Sequence, residues 1–95
     1  MPRLVILPAA RADLIEIGDF IALDNPERAL SFLMDLERVM RAAAERPGSF
    51  PARDDLYPGV RAARHGRYLI FFVEAREEVQ VVRVLHGARD LPSTL

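Results

Sequence analysis

The spacing of the apolar residues changes once along the chain, and this change constrains the fold more than any other feature. Between positions 9 and 46 apolar residues recur every three or four positions, which is the repeat of a helix with one buried face. Between positions 59 and 86 both alternating sets of positions are rich in apolar residues, which is typical of strands buried on both faces. The sequence therefore predicts helices followed by a sheet, in an α+β fold.

The first pattern predicts two helices. The first runs from Ala9 to Leu23, and the second begins at Pro26 and ends near Arg46. Asn25 suits the N-cap of the second helix because its side-chain oxygen can accept from free backbone N–H groups, and proline suits the first helical position. So few residues separate the helices that they must form an antiparallel hairpin. The predicted inner faces carry Ala10, Leu14, Ile17 and Ile21 in the first helix, and Ala29, Phe32, Leu33, Leu36, Val39, Met40 and Ala43 in the second.

Charged residues that lie off these inner faces are expected in solvent. Asp13, Glu16 and Asp19 are therefore predicted on a solvated face of the first helix. On the second helix, Glu37 and Arg41 are four residues apart and are predicted to form an exposed ion pair, worth about 0.2–0.5 kcal/mol.

Four strands complete the prediction. The apolar run Leu4–Leu7 ends at Pro8 and gives a first strand, while residues 47–58, with three prolines and no periodicity, give an irregular connection. Three further strands are predicted at Gly59–His65, Arg67–Glu74 and Glu77–His86. Their short connections favour an antiparallel meander. The predicted architecture is one domain over residues 1–95, of order β-α-α-β-β-β, with a helical hairpin packed on a mainly antiparallel four-stranded sheet.

The predicted sheet carries apolar residues on both faces. In one central strand, alternation puts Tyr68, Ile70 and Phe72 on one face and Leu69, Phe71 and Val73 on the other; in the last strand, Val79, Val81 and Leu85 oppose Val82 and Val84. Two helices can cover only one face, so the other face is expected to be partly exposed, which is typical of a protein-binding site. The alternative is that the hairpin, the long loop and the tail residues Leu91 and Pro92 cover both faces.

Composition excludes several kinds of site. The chain has no cysteine and two histidines, which excludes disulfide frameworks, thiol catalysis and Cys-ligated zinc and argues against a histidine-rich metal site, so no cofactor is expected. The formal net charge is −1 and all thirteen cationic side chains are arginines, so binding to nucleic acid would have to depend on a local patch. No apolar run approaches the roughly 18–20 residues of a membrane span, and a cytoplasmic protein is expected.

Four motifs carry a resemblance to a known family. They are Asn25-Pro26-Glu27-Arg28-Ala29, Gly59-Val60-Arg61, Gly66-Arg67-Tyr68-Leu69-Ile70-Phe71-Phe72 and Val82-Arg83-Val84-Leu85-His86-Gly87-Ala88-Arg89-Asp90. In these motifs, and in the order of its elements, the chain resembles the toxins of the RelE/ParE superfamily from bacterial type II toxin–antitoxin modules. The resemblance covers nearly the whole chain, and the last motif is similar to the ParE branch in particular.

The resemblance implies a toxin with no catalytic activity of its own. ParE-like toxins poison DNA gyrase and are neutralised by a ParD-like antitoxin. Such an antitoxin has an N-terminal ribbon–helix–helix module that dimerises and binds operator DNA, and a C-terminal segment that wraps the toxin. The resemblance thus implies a complex of two toxins with two antitoxins, or a multiple of it, that reaches DNA only through the antitoxin and does not involve a membrane.

Two alternatives stay open. Toxins of the RelE branch share the fold but cleave messenger RNA on the ribosome, and here Arg61, Arg83 and His86 would have to do so. The lack of lysine, the lack of any tyrosine after Tyr68 and the near-neutral net charge favour the non-enzymatic function. Structural hydrogen bonding is the simpler explanation of His86, and a solvated loop that of His65. The second alternative is an inactive toxin fold that only binds the antitoxin as a co-repressor.

Nine residues are candidate contacts with the antitoxin or the target, and none is assigned a catalytic or metal-binding role. Positions 59–73 hold three arginines and no acid, so a local cationic patch is predicted there. The nine candidates are Arg61, Arg64, Arg67, Tyr68, Phe72, Arg83, His86, Arg89 and Asp90. The last two depend on the resemblance, which associates the C-terminal region of ParE-like toxins with their activity.

The arginines also have a structural interpretation. Those at positions 61, 67 and 83 can pack their aliphatic stems on the sheet and pair with Asp54, Asp55 or Asp90. Arg89 and Asp90 can form a local salt bridge that anchors the tail.

Overall fold

Two helices pack on one face of a four-stranded sheet in the computed structural model, which describes residues 2–90 and 95. The elements are β1 (Arg3–Ile6), α1 (Pro8–Ala22), α2 (Pro26–Glu45), a 3₁₀ turn (Pro47–Ser49), β2 (Arg61–His65), β3 (Tyr68–Ala75) and β4 (Glu78–His86). The sheet order is β1-β4-β3-β2, with β1 parallel to β4 and the other pairs antiparallel. The predicted α+β class, element order and meander are confirmed.

The helical hairpin forms as predicted. The side chain of Asn25 accepts a hydrogen bond from the Arg28 N–H at 3.0 Å, and Pro26 occupies the first helical position. The two helices approach closely because Gly18 of α1 has no side chain: a Cβ there would lie 3.0 Å from Cδ1 of Leu33 on α2. The predicted pair of Glu37 and Arg41 is present, at 2.9 Å on the exposed side of α2.

The core between the helices and the sheet is built from the predicted stripes. Ala10, Leu36, Met40, Ile70 and Phe72 are fully buried in it. Leu14, Ile21, Leu33 and Val39 are partly buried at its edges. The helical period read from the sequence therefore located the inner face of both helices.

A β-bulge in β4 breaks the predicted alternation. Phe71 pairs with Arg83 and Phe72 pairs with Val81, so the intervening Val82 has no partner in β3. One extra residue reverses the faces of every residue that follows it. As a result, Val84 joins Val79 and Val81 beneath the helices, while Leu85 joins Val82 on the far face. The predicted faces of Val84 and Leu85 were wrong for this reason.

The far face of the sheet is covered, which corrects the prediction of an exposed apolar sheet face. Leu56 and Val60 of the long loop pack there against Phe71 and Leu85, and all four are at least nine-tenths buried. The Leu95 N–H donates to the Leu56 carbonyl at 3.1 Å, so the chain end lies on the same face. The alternative interpretation, in which the loop helps to wrap both faces, is confirmed for the loop. The tail residues named with it, Leu91 and Pro92, lie outside the described residues.

Exposed apolar side chains lie instead on the helical hairpin. Ile15, Phe20, Leu23, Leu30 and Met34 are each more than half exposed. Isolated apolar side chains are normal on a protein surface, but five on one hairpin form a candidate contact surface. Neither of the two α-helices within residues 2–90 is long and apolar enough to cross a membrane.

Candidate functional site

A cleft of about 520 Å³ opens between α1 and the end of β4, and is called the C-terminal cleft below. It is lined by Asp13, Glu16, Ile17, Phe20, Tyr68, Arg83, Val84, Leu85, Arg89 and Asp90. Four of the nine predicted contacts are among these residues: Tyr68, Arg83, Arg89 and Asp90. The fold thus places the predicted contacts of the last motif, Arg83, Arg89 and Asp90, beside α1. The sequence alone did not link that helix to them.

An ion pair forms the inner wall of the cleft. The Arg83 guanidinium donates to both carboxylate oxygens of Asp13, from Nε at 2.7 Å and from Nη2 at 3.0 Å. The same carboxylate accepts the Val84 backbone N–H at 2.9 Å. Hydrogen bonding to Asp13 raises the pKa of Arg83 above its ordinary value, and this effect exceeds the opposing effect of burial. Asp13 therefore holds Arg83 and the backbone of β4 together.

Asp13 is the site residue that sequence reasoning missed, because it was assigned to the solvated face of α1. Its side chain is only 12% exposed. It follows Ala10 by three residues and precedes Ile17 by four, so the helical spacing already places it at the border of the buried stripe. The spacing does not identify its partner, which lies 70 residues further along the chain.

His86 closes the turn that leads out of β4. Its Nδ1 accepts the backbone N–H groups of Ala88 and Arg89, at 3.3 and 3.1 Å. Its carbonyl accepts the Asp90 N–H at 2.9 Å, and its ring packs edge-on against Tyr68 at 5.4 Å between centroids. The predicted structural hydrogen bonding of His86 is confirmed, although His86 itself does not line the cleft.

Arg89 lies over the mouth of the cleft. Its guanidinium is 3.4 Å from the Asp90 carboxylate, which confirms the predicted local salt bridge, and 5.7 Å from the centre of the Phe20 ring. The Arg89 side chain is 57% exposed. It is therefore the cation of the cleft that is most open to a partner.

The three arginines of the predicted cationic patch lie outside the cleft, on and beside β2. Arg61 donates to the Phe50 carbonyl at 2.8 Å and lies 4.0 Å from Glu74. Arg64 and Arg67 are exposed, and neither forms an ion pair with any residue that the structure describes. We call Arg61, Arg64 and Arg67 together the arginine edge.

The structural interpretation named the wrong partners for Arg61 and Arg83. Asp54 accepts the Gly59 N–H at 2.8 Å, and Asp55 pairs with Arg53. The Arg53 hydrogen bond lowers the pKa of Asp55. Both acids therefore bind partners within the loop that carries them.

The residues proposed for RNA cleavage do not meet at one point. Arg61 is opposite Phe72 on β3, whereas His86 is opposite Tyr68, four residues away on the same strand. With a rise of about 3.3 Å per residue and a strand spacing of about 4.8 Å, Arg61 and His86 are separated by about 16 Å of sheet. Arg61 and His86 therefore extend from well-separated points of the sheet.

Phe72 and His65 lie elsewhere than predicted. Phe72 has no exposed surface and packs under the helices against Phe50, so it is not a partner contact. His65 ends β2 instead of lying in a solvated loop: its Nε2 is 3.6 Å from the Asp35 carboxylate and its ring packs against Phe32. Both side chains lie on the face of the sheet that the helices cover. Alternation along a strand separates its two faces but does not show which of them the helices cover.

The described part of the chain offers no metal site, since no group of three histidine or carboxylate side chains within it comes close enough to hold an ion. What the cleft does offer is one exposed arginine, an aromatic wall and a firmly held ion pair. This arrangement suits contact with another macromolecule better than acid–base chemistry.

Comparison with known proteins agrees with the fold. The family model described as "ParE toxin of type II toxin-antitoxin system, parDE" matches residues 4–91. Among solved structures, one titled "Chromosomal ParDE TA system from P. aeruginosa" superposes with a TM-score of 0.75 at 26% sequence identity, covering 88% of this chain and 94% of that one. The comparison with curated proteins found no match.

Removing the Asp13 carboxylate should destabilise the fold. Asp13→Ala leaves the Arg83 guanidinium and the Val84 N–H without their acceptor, so the free energy of unfolding should fall by about 2–3 kcal/mol. Glu16→Ala, a nearby exposed carboxylate of the same helix, is the matched control and should change it by less than about 0.5 kcal/mol. Urea denaturation measures both, and equal midpoints for the two variants would contradict the role given to Asp13.

Proposed function

The chain belongs to the ParE toxin family of type II toxin–antitoxin systems, and on that premise we propose that it poisons DNA gyrase without catalysing a reaction itself. In this proposal the toxin binds gyrase and stabilises the intermediate in which the DNA is cleaved. The observation that carries the non-enzymatic part is the engagement of the reactive side chains: Arg83 is held by Asp13, and His86 by its own turn.

The state of His86 supports this proposal. Because Nδ1 accepts two backbone N–H groups, the proton of the neutral ring lies on Nε2. A ring in that state has no free nitrogen lone pair with which to act as a general base. Acting as a base would require His86 to release the turn that positions Arg89.

A ribosome-dependent endonuclease is the alternative enzyme function. It requires a base, an acid and cations around a single phosphate. The distance of about 16 Å between Arg61 and His86 across the sheet disfavours that arrangement. A third possibility is an inactive toxin fold that acts only as a co-repressor. Such a protein would leave the growth of bacteria unchanged, whereas a gyrase poison would arrest it.

We also propose that a ParD-like antitoxin neutralises the chain by binding along the arginine edge. Arg64 and Arg67 are exposed beside the outer strand of the sheet, and residues 59–73 contain no acidic side chain to compensate them. An antitoxin segment with acidic groups would find complementary charge there. Because the antitoxin dimerises, the proposed complex holds two toxins and two antitoxins or a multiple of these.

The gyrase proposal has a direct biochemical test. Incubation of the purified chain with gyrase and plasmid DNA should trap double-strand breaks with gyrase covalently attached, and expression in bacteria should induce the DNA-damage response and filaments while bulk translation continues. Rapid translation arrest with cleaved messages would contradict the proposal in favour of the endonuclease. Normal growth with no trapped breaks would favour the co-repressor.

The role of His86 can be separated from catalysis with two variants. His86→Asn places an amide oxygen near the position of Nδ1, so it should keep both the turn and the toxicity. His86→Ala removes the acceptor and should lower the melting temperature by roughly 4–8 °C, as a loss of about 1 kcal/mol does in a domain of this size. If His86→Asn melts like the parent chain and still binds gyrase but has lost its toxicity, the non-enzymatic proposal is wrong.

The arginine edge can be tested by binding kinetics. Arg64→Glu should slow association with the cognate antitoxin and weaken its dependence on salt, because exposed charges act mainly on the encounter rate. Arg76→Glu carries the same change of charge on the turn between β3 and β4, and should change the rate much less. Stopped-flow mixing at two salt concentrations measures both. Equal rates for the two variants would show that the antitoxin binds elsewhere.

A further inference from the structure

The outer face of the helical hairpin combines apolar and charged residues in a regular order. We define this face by Arg11, Ile15 and Asp19 on α1, by Leu23 directly after it, and by Glu27, Leu30, Met34 and Arg41 on α2. All eight are exposed, and its apolar members are 61–83% exposed. The face points away from the sheet, since the buried stripes of both helices lie on the other side.

On each helix, opposite charges lie at equal distances on either side of an exposed apolar residue. On α1, Arg11 and Asp19 are each four residues from Ile15. Four residues return to nearly the same side of a helix, so these charges lie about 6 Å to either side of Ile15.

The second helix repeats this arrangement at a longer spacing. On α2, Glu27 and Arg41 are each seven residues from Met34, or about 10 Å along the helix axis. Seven residues also return to nearly the same side of the helix. On each helix, one pair of opposite charges is therefore placed symmetrically about an apolar centre. Glu37, three residues after Met34, has no charged counterpart, because position 31 is a serine.

A two-fold axis makes this face complementary to itself. Consider a two-fold axis that lies in the plane of the face and runs perpendicular to the helices. Rotation about this axis places each helix opposite the same helix of the second copy, and the two run antiparallel. Glu27 of one copy then meets Arg41 of the other, and the contact occurs twice. In the same way, Arg11 of one copy meets Asp19 of the other.

A single axis serves both helices. Gly18 packs against Leu33, so residues whose numbers add to about 51 lie at the same level of the antiparallel hairpin. Met34 is therefore level with Ile17, only two residues, or about 3 Å, from the Ile15 centre. The small difference is within what a change in helix crossing angle can absorb.

We propose that the chain forms a homodimer through the outer face of the hairpin. Ile15, Leu30 and Met34 form the apolar centre of this interface, and the charge pairs of the two helices form its rim. A second copy fits better than an unrelated protein, because an unrelated partner gives no reason for opposite charges at equal distances from a centre. The dimer goes beyond the proposed function and does not depend on the identity of the toxin's target.

The size of the face is typical of a weak dimer. With helices of about 22 and 30 Å lying 8–10 Å apart, the face can bury on the order of 500–700 Å² per copy, at the low end for specific interfaces. A micromolar Kd is therefore expected. Arg41 also pairs with Glu37 of its own helix, but such exposed pairs contribute little to stability, so this pair can be exchanged for the contact across the axis.

Two single charge reversals, tested separately and then mixed, examine this symmetry. Arg41→Glu creates two repulsive contacts with Glu27, and Glu27→Arg creates two with Arg41, so each should weaken self-association at least tenfold. An equimolar mixture of the two variants should form a heterodimer, because each then presents the charge that the other lacks. Arg76→Glu, an equal change of charge on the exposed turn between β3 and β4, is the control and should dimerise like the parent chain.

Sedimentation velocity of the purified full-length chain, with circular dichroism to confirm folding, gives the decisive measurement. A parent chain that stays monomeric to about 200 µM, well above the Kd expected for an interface of this size, would overturn the proposal. So would variants that dimerise normally, or a mixture in which no heterodimer forms. If the parent chain is monomeric and the same reversals weaken antitoxin binding, the face is an antitoxin site and the homodimer is wrong.

Discussion

The carboxylate of Asp13 joins the two layers of the molecule at the point where the sheet loses a strand. β1 ends opposite Val81, so the last residues of β4 have no neighbouring strand on that side. Asp13 accepts the Val84 N–H and both donors of Arg83 there. A buried donor without an acceptor costs about 1–3 kcal/mol, so this contact fixes where α1 lies on the sheet. The position of α1 in turn sets the width of the C-terminal cleft.

Much of the fold could be predicted because it depends on local periodicity. The helical stripes, the Asn25 cap and the meander follow from spacing and turn residues that a single sequence displays. The faces of β4 could not be predicted beyond Val82, because a bulge depends on register with the neighbouring strand. The cover over the far face could be given only as an alternative: Leu56 and Val60 lie in a proline-rich loop without periodicity, and only the folded chain shows that they pack on the sheet.

The candidate site was predictable only in part, for the same reason. Tyr68, Arg83, Arg89 and Asp90 were singled out from strand ends and from the resemblance, and the fold brings them to one cleft. Asp13 was not, since its function depends on a contact with a residue 70 positions away. Phe72 was predicted as a partner contact but is buried in the core. An apolar residue in a strand is compatible with both locations, and only tertiary packing distinguishes them.

The parallel pairing of β1 with β4 has a consequence for how the protein is made. Arg3 is opposite Glu78, so β1 cannot pair until β4, about 75 residues further along the chain, has been synthesised. Long-range strand pairing of this kind slows folding. The docking of α1 depends on β4 as well, because Asp13 pairs with Arg83. The C-terminal cleft therefore does not exist on the growing chain. The complete sheet and the cleft beside it can therefore form only once β4 has been synthesised.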